Sequence, residues 1–380
     1  MIRFFVFLFV FLFKLPALGQ NEIPISPTPR AGKVTLNNIV KSIEYVPLET
    51  NNKCLIGKID KFTISENFIL VLCSQTYTFF LFTRNGKFIS QIGSIGGGPG
   101  EYNFGGVQPV FIDEKNKQIG IYYRYGQNLL IYGLDGVLIR SFNQLLLGDV
   151  SYYNGFFLGK YNNMGNTSFS YRIYSNNFKS VFEKIIPVSY KFRGNFSTFR
   201  YNFCEYVYNG QIHVKETFLN DTVYIINPDF SFTSKYIINL PTRYKVTKDI
   251  RSNSELFSSK FSEFILPYSM YETKEVLLFE YVYGNKINYS YYQKDDRSHW
   301  MFSSSSGIPN DYDGGLDFWP KVQYNELLIS FYDADLFVEN RNNPKTLKPQ
   351  GPADAISRVN QLSRRIDPED NPVMVIVTLK

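Results

Sequence analysis

The chain repeats itself at an offset of about 50 residues, and no other feature constrains its fold so much. Asn67-Phe68-Ile69-Leu70-Val71-Leu72 aligns with Lys117-Gln118-Ile119-Gly120-Ile121-Tyr122, and Phe79-Phe80-Leu81-Phe82 with Leu129-Leu130-Ile131-Tyr132. Arg84-Asn85-Gly86-Lys87-Phe88-Ile89 aligns with Leu134-Asp135-Gly136-Val137-Leu138-Ile139. Asn-Gly and Asp-Gly between apolar runs mark hairpins, because a type I′ turn needs positive φ at both central residues. Each unit therefore reads as strand, strand, hairpin, strand. Short antiparallel units recurring at this period build a β-propeller.

The later chain keeps the rhythm without the clean match. Strand-like runs cover Phe169–Tyr174, Phe178–Ile186, Gln211–Lys215, Asp221–Ile226, Ser231–Ile238, Lys274–Tyr283, Lys286–Tyr292, His299–Ser303 and Glu326–Phe331. Six units of about 60 residues, blades of roughly 50 with insertions, account for the length; the arithmetic also admits five or seven. Ile43–Leu48 stands alone before the first repeat and Val373–Val377 closes the chain. Open sheet edges invite aggregation, so the first and last strands are expected to share one blade. Ile356, Val359, Leu362 and Ile366 recur at helical spacing, which predicts one amphipathic helix over Ala353–Arg365. The reading is all-β: a six-bladed propeller of four-stranded antiparallel blades with one short C-terminal helix, a single domain over residues 20–380.

Phe4–Phe13 is an unbroken apolar run behind Arg3, followed by Ala17-Leu18-Gly19. A short apolar core ending in small residues reads as a secretory signal peptide, residues 1–19, cleaved after Gly19. Ten residues rise only about 15 Å as a helix, half a bilayer core, so a transmembrane anchor is not expected. The site is not followed by a lipid-acceptor Cys. The expected product is a soluble, exported monomer, periplasmic or extracellular. Cys54, Cys73 and Cys204 make an odd number, so at least one thiol stays free; a Cys54–Cys73 bridge is open, and Cys73 ends an apolar run where a buried thiol is the simpler expectation.

Composition closes off several chemistries. The formal charge of +6 is spread along the chain, which gives no nucleic-acid footprint. Two histidines cannot make a three-His metal centre, and no Gly-x-Ser-x-Gly elbow accompanies His213 or His299. The Gly93–Gly100 segment lacks the Gly-Lys-Ser/Thr that opens a phosphate-binding helix; a tight crossing between blades is expected there. No cofactor is expected. Asp311-Tyr312-Asp313-Gly314-Gly315 with Asp317 is the densest acidic cluster, a solvated turn by default and the one place where Ca²⁺ could be held by oxygens. Most of the 35 Phe, 29 Tyr and 2 Trp must fill the spaces between sheets, but His299, Trp300, Asp311, Tyr312, Asp313, Asp317 and Trp319 form the candidate ligand-binding set, with aromatics suited to stacking on sugar rings. Paired carboxylates for glycoside cleavage stay open, because their separation is a three-dimensional fact.

Further strings carry a family resemblance. Tyr45-Val46-Pro47-Leu48-Glu49-Thr50, Leu55-Ile56-Gly57, Phe82 through Phe88, Ile92-Gly93 through Gly96-Gly97-Gly98-Pro99-Gly100-Glu101-Tyr102, Leu219 through Tyr224, and Asp370-Asn371-Pro372-Val373 resemble the six-bladed propellers exported by Gram-negative bacteria, relatives of NHL-repeat propellers. The resemblance implies the fold and no particular reaction. The functional expectation is a non-catalytic binding or scaffolding module that meets a glycan, a peptide or a partner protein on its loop face or central channel. The alternative is a polysaccharide-acting enzyme, a lyase or hydrolase, on the same propeller.

Overall fold

A computed structural model describes residues 21–380 except 104–105, 144–148, 154, 162–169, 179, 185–202, 217–220, 252 and 341–347. The expected signal peptide and the Leu219-Asn220 string lie outside the described residues.

Among the described residues the chain is predominantly β, in one nine-stranded, one five-stranded, three four-stranded and one two-stranded sheet, antiparallel except for four parallel pairings. Three strands come first: β1 (Asn21–Pro24), β2 (Arg30–Ala31) and, after the single-turn helix α1 (Leu36–Ile39), β3 (Val40–Pro47). The first repeat folds as β4 (Ile59–Ile64), β5 (Phe68–Cys73), β6 (Phe79–Thr83) and β7 (Phe88–Ile92), paired in sequence order. A short parallel pair, β8 (Ser94–Ile95) and β9 (Glu101–Tyr102), leads into the second repeat. That repeat is β10 (Val107–Asp113), β11 (Gln118–Tyr123), β12 (Asn128–Gly133) and β13 (Leu138–Phe142), again paired in order. A third meander follows with β14 (Asp149–Tyr153), β15 (Phe156–Lys160), β16 (Tyr171–Ser175) and β17 (Ser180–Lys184).

The fourth unit comprises β18 (Phe203–Tyr208), β19 (Gln211–Glu216), β20 (Thr222–Ile226) and β21 (Phe232–Asn239). Two short helices intervene, α2 (Lys248–Arg251) and α3 (Ser254–Ser259). The fifth unit is β22 (Leu266–Glu272), β23 (Val276–Tyr283), β24 (Lys286–Gln293) and β25 (Ser298–Met301). The sixth starts with β26 (Val322–Tyr324) and β27 (Leu327–Tyr332), passes through α4 (Ala334–Asn340) and α5 (Ala353–Ser363), and ends with β28 (Val373–Leu379). Its outermost strand is the N-terminal β3, antiparallel to β28 with Val46 opposite Met374 and Tyr45 opposite Val375. Upstream, β1 adds to β21 and β2 to β25 in parallel, so the N-terminal segment edges three consecutive units.

Side-chain alternation explains why β5 and β6 read as unbroken apolar runs: each is buried on both faces. Ile69 and Val71 pack with Ile329, Met374 and Ile376 of the sixth unit, whereas Leu70 and Leu72 pack with Val107, Ile119 and Ile121 of the second. The pattern continues from the second unit to the third (Tyr122 and Ile131 with Val150 and Phe157) and from the third to the fourth (Leu158 and Ile173 with Val207 and Val214). The largest cluster joins the fourth, fifth and sixth units. A fully buried Leu or Ile contributes roughly 1.5–3 kcal/mol, so these inter-sheet seams dominate the fold's stability.

The hairpin turns dock on the neighbouring unit. Gly86 has φ +85°, and a Cβ there would stand 2.1 Å from the Pro47 carbonyl oxygen on β3. Gly136, its repeat equivalent, has φ +83° and stands in the same relation to the Gln91 carbonyl on β7. The Gly-rich segment also sits between units, with the Tyr132 hydroxyl donating to the Gly100 carbonyl at 2.6 Å. The C-terminal helix forms as expected over Ala353–Ser363, burying Ala355, Val359 and Ser363, while Ile356 and Leu362 are half-buried. All three cysteines are free and buried, so no disulfide braces the chain.

Candidate functional site

The first strands of all six units, β4, β10, β14, β18, β22 and β26, contribute to one cavity of about 1340 Å³. Toward one end its wall is drawn together between the fourth and sixth units. There Val207 on β18 pairs in parallel with Tyr324 on β26, the Asn325 amide donates to the Val207 carbonyl at 2.7 Å, and the Gly210 amide donates to the Asn325 side chain at 2.8 Å.

The beginnings of these strands carry a charged cluster. Lys160, at the end of β15, is buried, and its ammonium lies 3.0 Å from Asp149 and 2.8 Å from Glu205. It also donates to the Ser151 hydroxyl at 2.9 Å, and Ser151 in turn donates to Glu205. Antiparallel pairing of Asp149 with Lys160 puts these two side chains on one rung, and β18 of the next unit supplies Glu205. Burial alone would raise the Asp149 carboxyl, but Lys160 and then Lys61 hold it down at about 2. Burial opposes the charge on Lys160, yet Asp149 and Glu205 raise its pKa above the ordinary lysine range. Asp149 and Lys160 are therefore each held in the charged form. Beside them, the Tyr153 hydroxyl is pushed well up by burial and by Glu205, which keeps it protonated and a hydrogen-bond donor.

Lys61 of β4 also faces the cavity and makes one long contact, 3.4 Å, to the Gln108 carboxamide. Burial lowers its pKa, partly offset by Asp149 and Asp60. Further round the wall, Glu280 accepts from Ser269 at 2.9 Å and from the Trp319 indole at 2.7 Å. The arrangement offers charged, hydroxyl and carboxamide groups with aromatic faces from Phe62, Tyr152 and Tyr271, a lining suited to a polar ligand with many hydroxyls.

The residues singled out in the sequence occupy two other places. Asp311, Tyr312, Asp313 and Asp317 are brought together in the loop before β26, where their polar atoms serve the chain itself. Asp311 accepts from the Thr35 hydroxyl (2.8 Å) and the Asn37 amide (3.0 Å). Asp313 accepts from the Tyr45 hydroxyl (2.9 Å), Asn310 (2.8 Å) and the Gly315 amide (3.0 Å), and burial raises its pKa. Asp317 accepts from the Asn310 amide at 3.0 Å and from Ser304, and the Tyr312 hydroxyl donates to the Lys41 carbonyl at 2.9 Å. Among the described residues no three His, Cys, Asp or Glu side chains converge as metal ligands. Of the set, Trp319 alone reaches the cavity wall, through Glu280.

His299 and Trp300 lie apart from that loop on β25. The Ser26 amide donates to His299 Nδ1 at 3.0 Å, so Nε2 carries the proton toward Ser290, and burial pushes the imidazole down to about 4. His213 is fully buried, stacked on Tyr206, with Nδ1 at 3.1 Å from the Gln211 carbonyl and Nε2 at 3.0 Å from the Lys235 ammonium. Its neutral tautomer follows: Nδ1 donates and Nε2 accepts. Burial and Lys235 push it down to about 4. Glu272 completes this knot, accepting from Lys294 (2.8 Å), Lys235 (3.1 Å) and Tyr236 (2.7 Å). Sequence reasoning missed Lys61, Asp149, Lys160 and Glu205. They lie on β4, β14, β15 and β18, outside the apolar runs that the sequence marked, and they come together only through the packing of separate sheets.

The chain belongs to the DUF4934 family, a domain of unknown function, which matches residues 21–378. Its backbone is similar to the crystal structure of a Bacteroides fragilis protein described as exported, with a TM-score of 0.68 at 16% identity over 94% of this chain and 99% of that one. It is also similar to a DUF4221-family protein from Bacteroides vulgatus, with a TM-score of 0.50 at 11% identity over 90% of this chain and 97% of that one. No curated protein matches the chain in sequence. These likenesses speak to the fold alone. No helix among the described residues is long and apolar enough to cross a membrane.

Proposed function

We propose that the chain is an exported six-bladed β-propeller, one domain from residue 20 to 380, that binds a glycan in its axial cavity without turning it over. The cyclic order of the apolar seams supports the ring: each unit packs on the next, and the sixth packs on the first. The Gly86–Pro47 approach supports closure, because β3 stands to the first unit as β7 stands to the second. Export rests on the apolar leader and on the likeness to a protein described as exported.

The observation that carries the binding reading is the cavity itself, walled by one strand from each unit and bearing hydroxyl, carboxylate and ammonium groups. Asp149 and Glu205 both lie within 3.0 Å of one ammonium nitrogen, so their carboxyl groups are close enough together for the spacing that glycoside cleavage uses. Lys160 binds both, however, which commits them to an ion pair rather than to proton transfer. The test is an oligosaccharide panel on the purified protein, with binding and product scored separately. Binding without product is expected, and Tyr271→Ala in the cavity wall should weaken it. Product formation abolished by Glu205→Gln would establish the enzyme reading instead.

A further inference from the structure

Four cations that line the cavity, Lys58, Lys61, Arg124 and Lys321, form no ion pair within 4 Å among the described residues. Lys160, by contrast, is held by two carboxylates. Lys61 comes from the start of β4. Arg124 comes from the turn after β11, whose end pairs with the start of β10 (Val107 opposite Tyr123), so both belong to the end of the cavity where the inner strands begin. They repel each other, while Asp149 first and Asp60 second favour the charged form of Lys61 without an ion pair within 4 Å. Lys61 and Arg124 are both exposed to the cavity, where an anionic group could reach them. The residue after Arg124 is Tyr125, 70% exposed, its ring set edge-on to Tyr123 and resting against Gly106. An exposed, braced aromatic ring next in sequence to Arg124 suits a sugar ring that carries an acidic group.

We propose that Lys61 and Arg124 receive the carboxylate or sulfate groups of an anionic glycan, with Tyr125 as the stacking platform beside them. The inference rests on the cavity being the glycan site. Gln108, Ser151 and Glu280 also line the cavity and add hydrogen-bonding groups to its wall. Asp149 and Glu205 are already tied to Lys160, which leaves Lys61 and Arg124, at the end where the inner strands begin, to choose between acidic and neutral sugars.

The test is isothermal titration of the full mature chain with four probes: a galacturonic-acid oligomer, its methyl ester, a chondroitin sulfate oligomer and a poly-glutamate peptide. At least one acidic sugar should bind, weakening as salt rises; which one binds identifies the acid. For a uronate ligand the ester should bind at least about tenfold more weakly, and Lys61→Met or Arg124→Gln should each cost about tenfold. Neither substitution breaks an ion pair, so thermal unfolding should be unchanged and lost affinity cannot be misfolding. Equal binding of ester and acid, or wild-type affinity in both variants, overturns the acidic-ligand inference while leaving the cavity reading intact. Tighter binding of poly-glutamate than of any sugar overturns the glycan assignment. No binding of any probe, when neutral glycans also fail, overturns both.

Discussion

Single ionisable residues set how this molecule responds to acid. His213 and His299 are held neutral to about pH 4, against about 6.5 in an unfolded chain. Between those values the unfolded state takes up protons that the folded state refuses. Their stabilisation is therefore complete above pH 6.5 and falls toward pH 4, by up to about 3 kcal/mol for each imidazole. Asp149 acts lower: its folded pKa of about 2 means that its contribution is present above pH 4 and is lost as pH falls to 2. A third of its side chain is exposed, which limits that loss to about 1 kcal/mol. Denaturant titrations from pH 8 to 2 should show both limbs, and proton NMR should find both imidazoles neutral at pH 5; an imidazole titrating near 6.5 would contradict its burial. Lys160→Met leaves two carboxylates facing each other and should cost about 2–3 kcal/mol at pH 7, less at pH 2. The thiols give a simpler readout. Burial pushes Cys204 up to about 12, and all three cysteines are buried, so a thiol reagent should label none in the native protein and three after denaturation.

At the level of elements, the hairpin glycines carry the repeat. Gly86→Ala and Gly136→Ala each place a Cβ at positive φ against a backbone carbonyl of the neighbouring unit, and each should cost at least about 1–2 kcal/mol. Gly97→Ala, with nothing within 4 Å of its Cβ, should shift stability by less than about 0.5 kcal/mol in the same denaturation assay. The positions of the Asn-Gly and Asp-Gly turns, the doubly buried strands β5, β6, β11 and β12, and helix α5 were legible because each is specified by neighbours a few residues away. The turns are not type I′, however: only Gly86 and Gly136 take positive φ, and Asn85 and Asp135 do not. Strand β22 was missed since Pro267 interrupts its pattern, and helices α2, α3 and α4 since they are shorter than the window over which helical periodicity shows. The candidate site was least legible. Asp311 and Asp313 stood out as a local acidic run, yet their partners Thr35, Asn37 and Tyr45 lie some 270 residues upstream. Lys61, Asp149, Lys160 and Glu205, by contrast, are spread over 145 positions and converge only through the sheet order.

For the whole molecule the proposed ring has a thermodynamic consequence. An open row of sheets could fray from one end, as stacked repeats do, because each unit would depend on one neighbour. Here the first unit packs on the sixth through Val46, Met374 and Ile376, and the N-terminal segment edges the fourth, fifth and sixth units. No unit is then terminal, and loss of one seam removes a supporting face from the sheets on both sides of it. Val375 is 1% exposed on β28, inside the cluster that joins the fourth, fifth and sixth units. Val375→Asp buries an unpaired carboxylate there and should cost more than about 3 kcal/mol. Both tryptophans, Trp300 and Trp319, report on that same cluster, whereas far-UV circular dichroism reports on every sheet. In a closed ring the two signals should follow one denaturation curve in the wild type and move together in the variant. A variant whose tryptophan transition shifts while the circular dichroism of the remaining sheets stays in place would show that the cluster of the fourth, fifth and sixth units unfolds apart from the first three, so that the seams on its two sides do not couple the molecule.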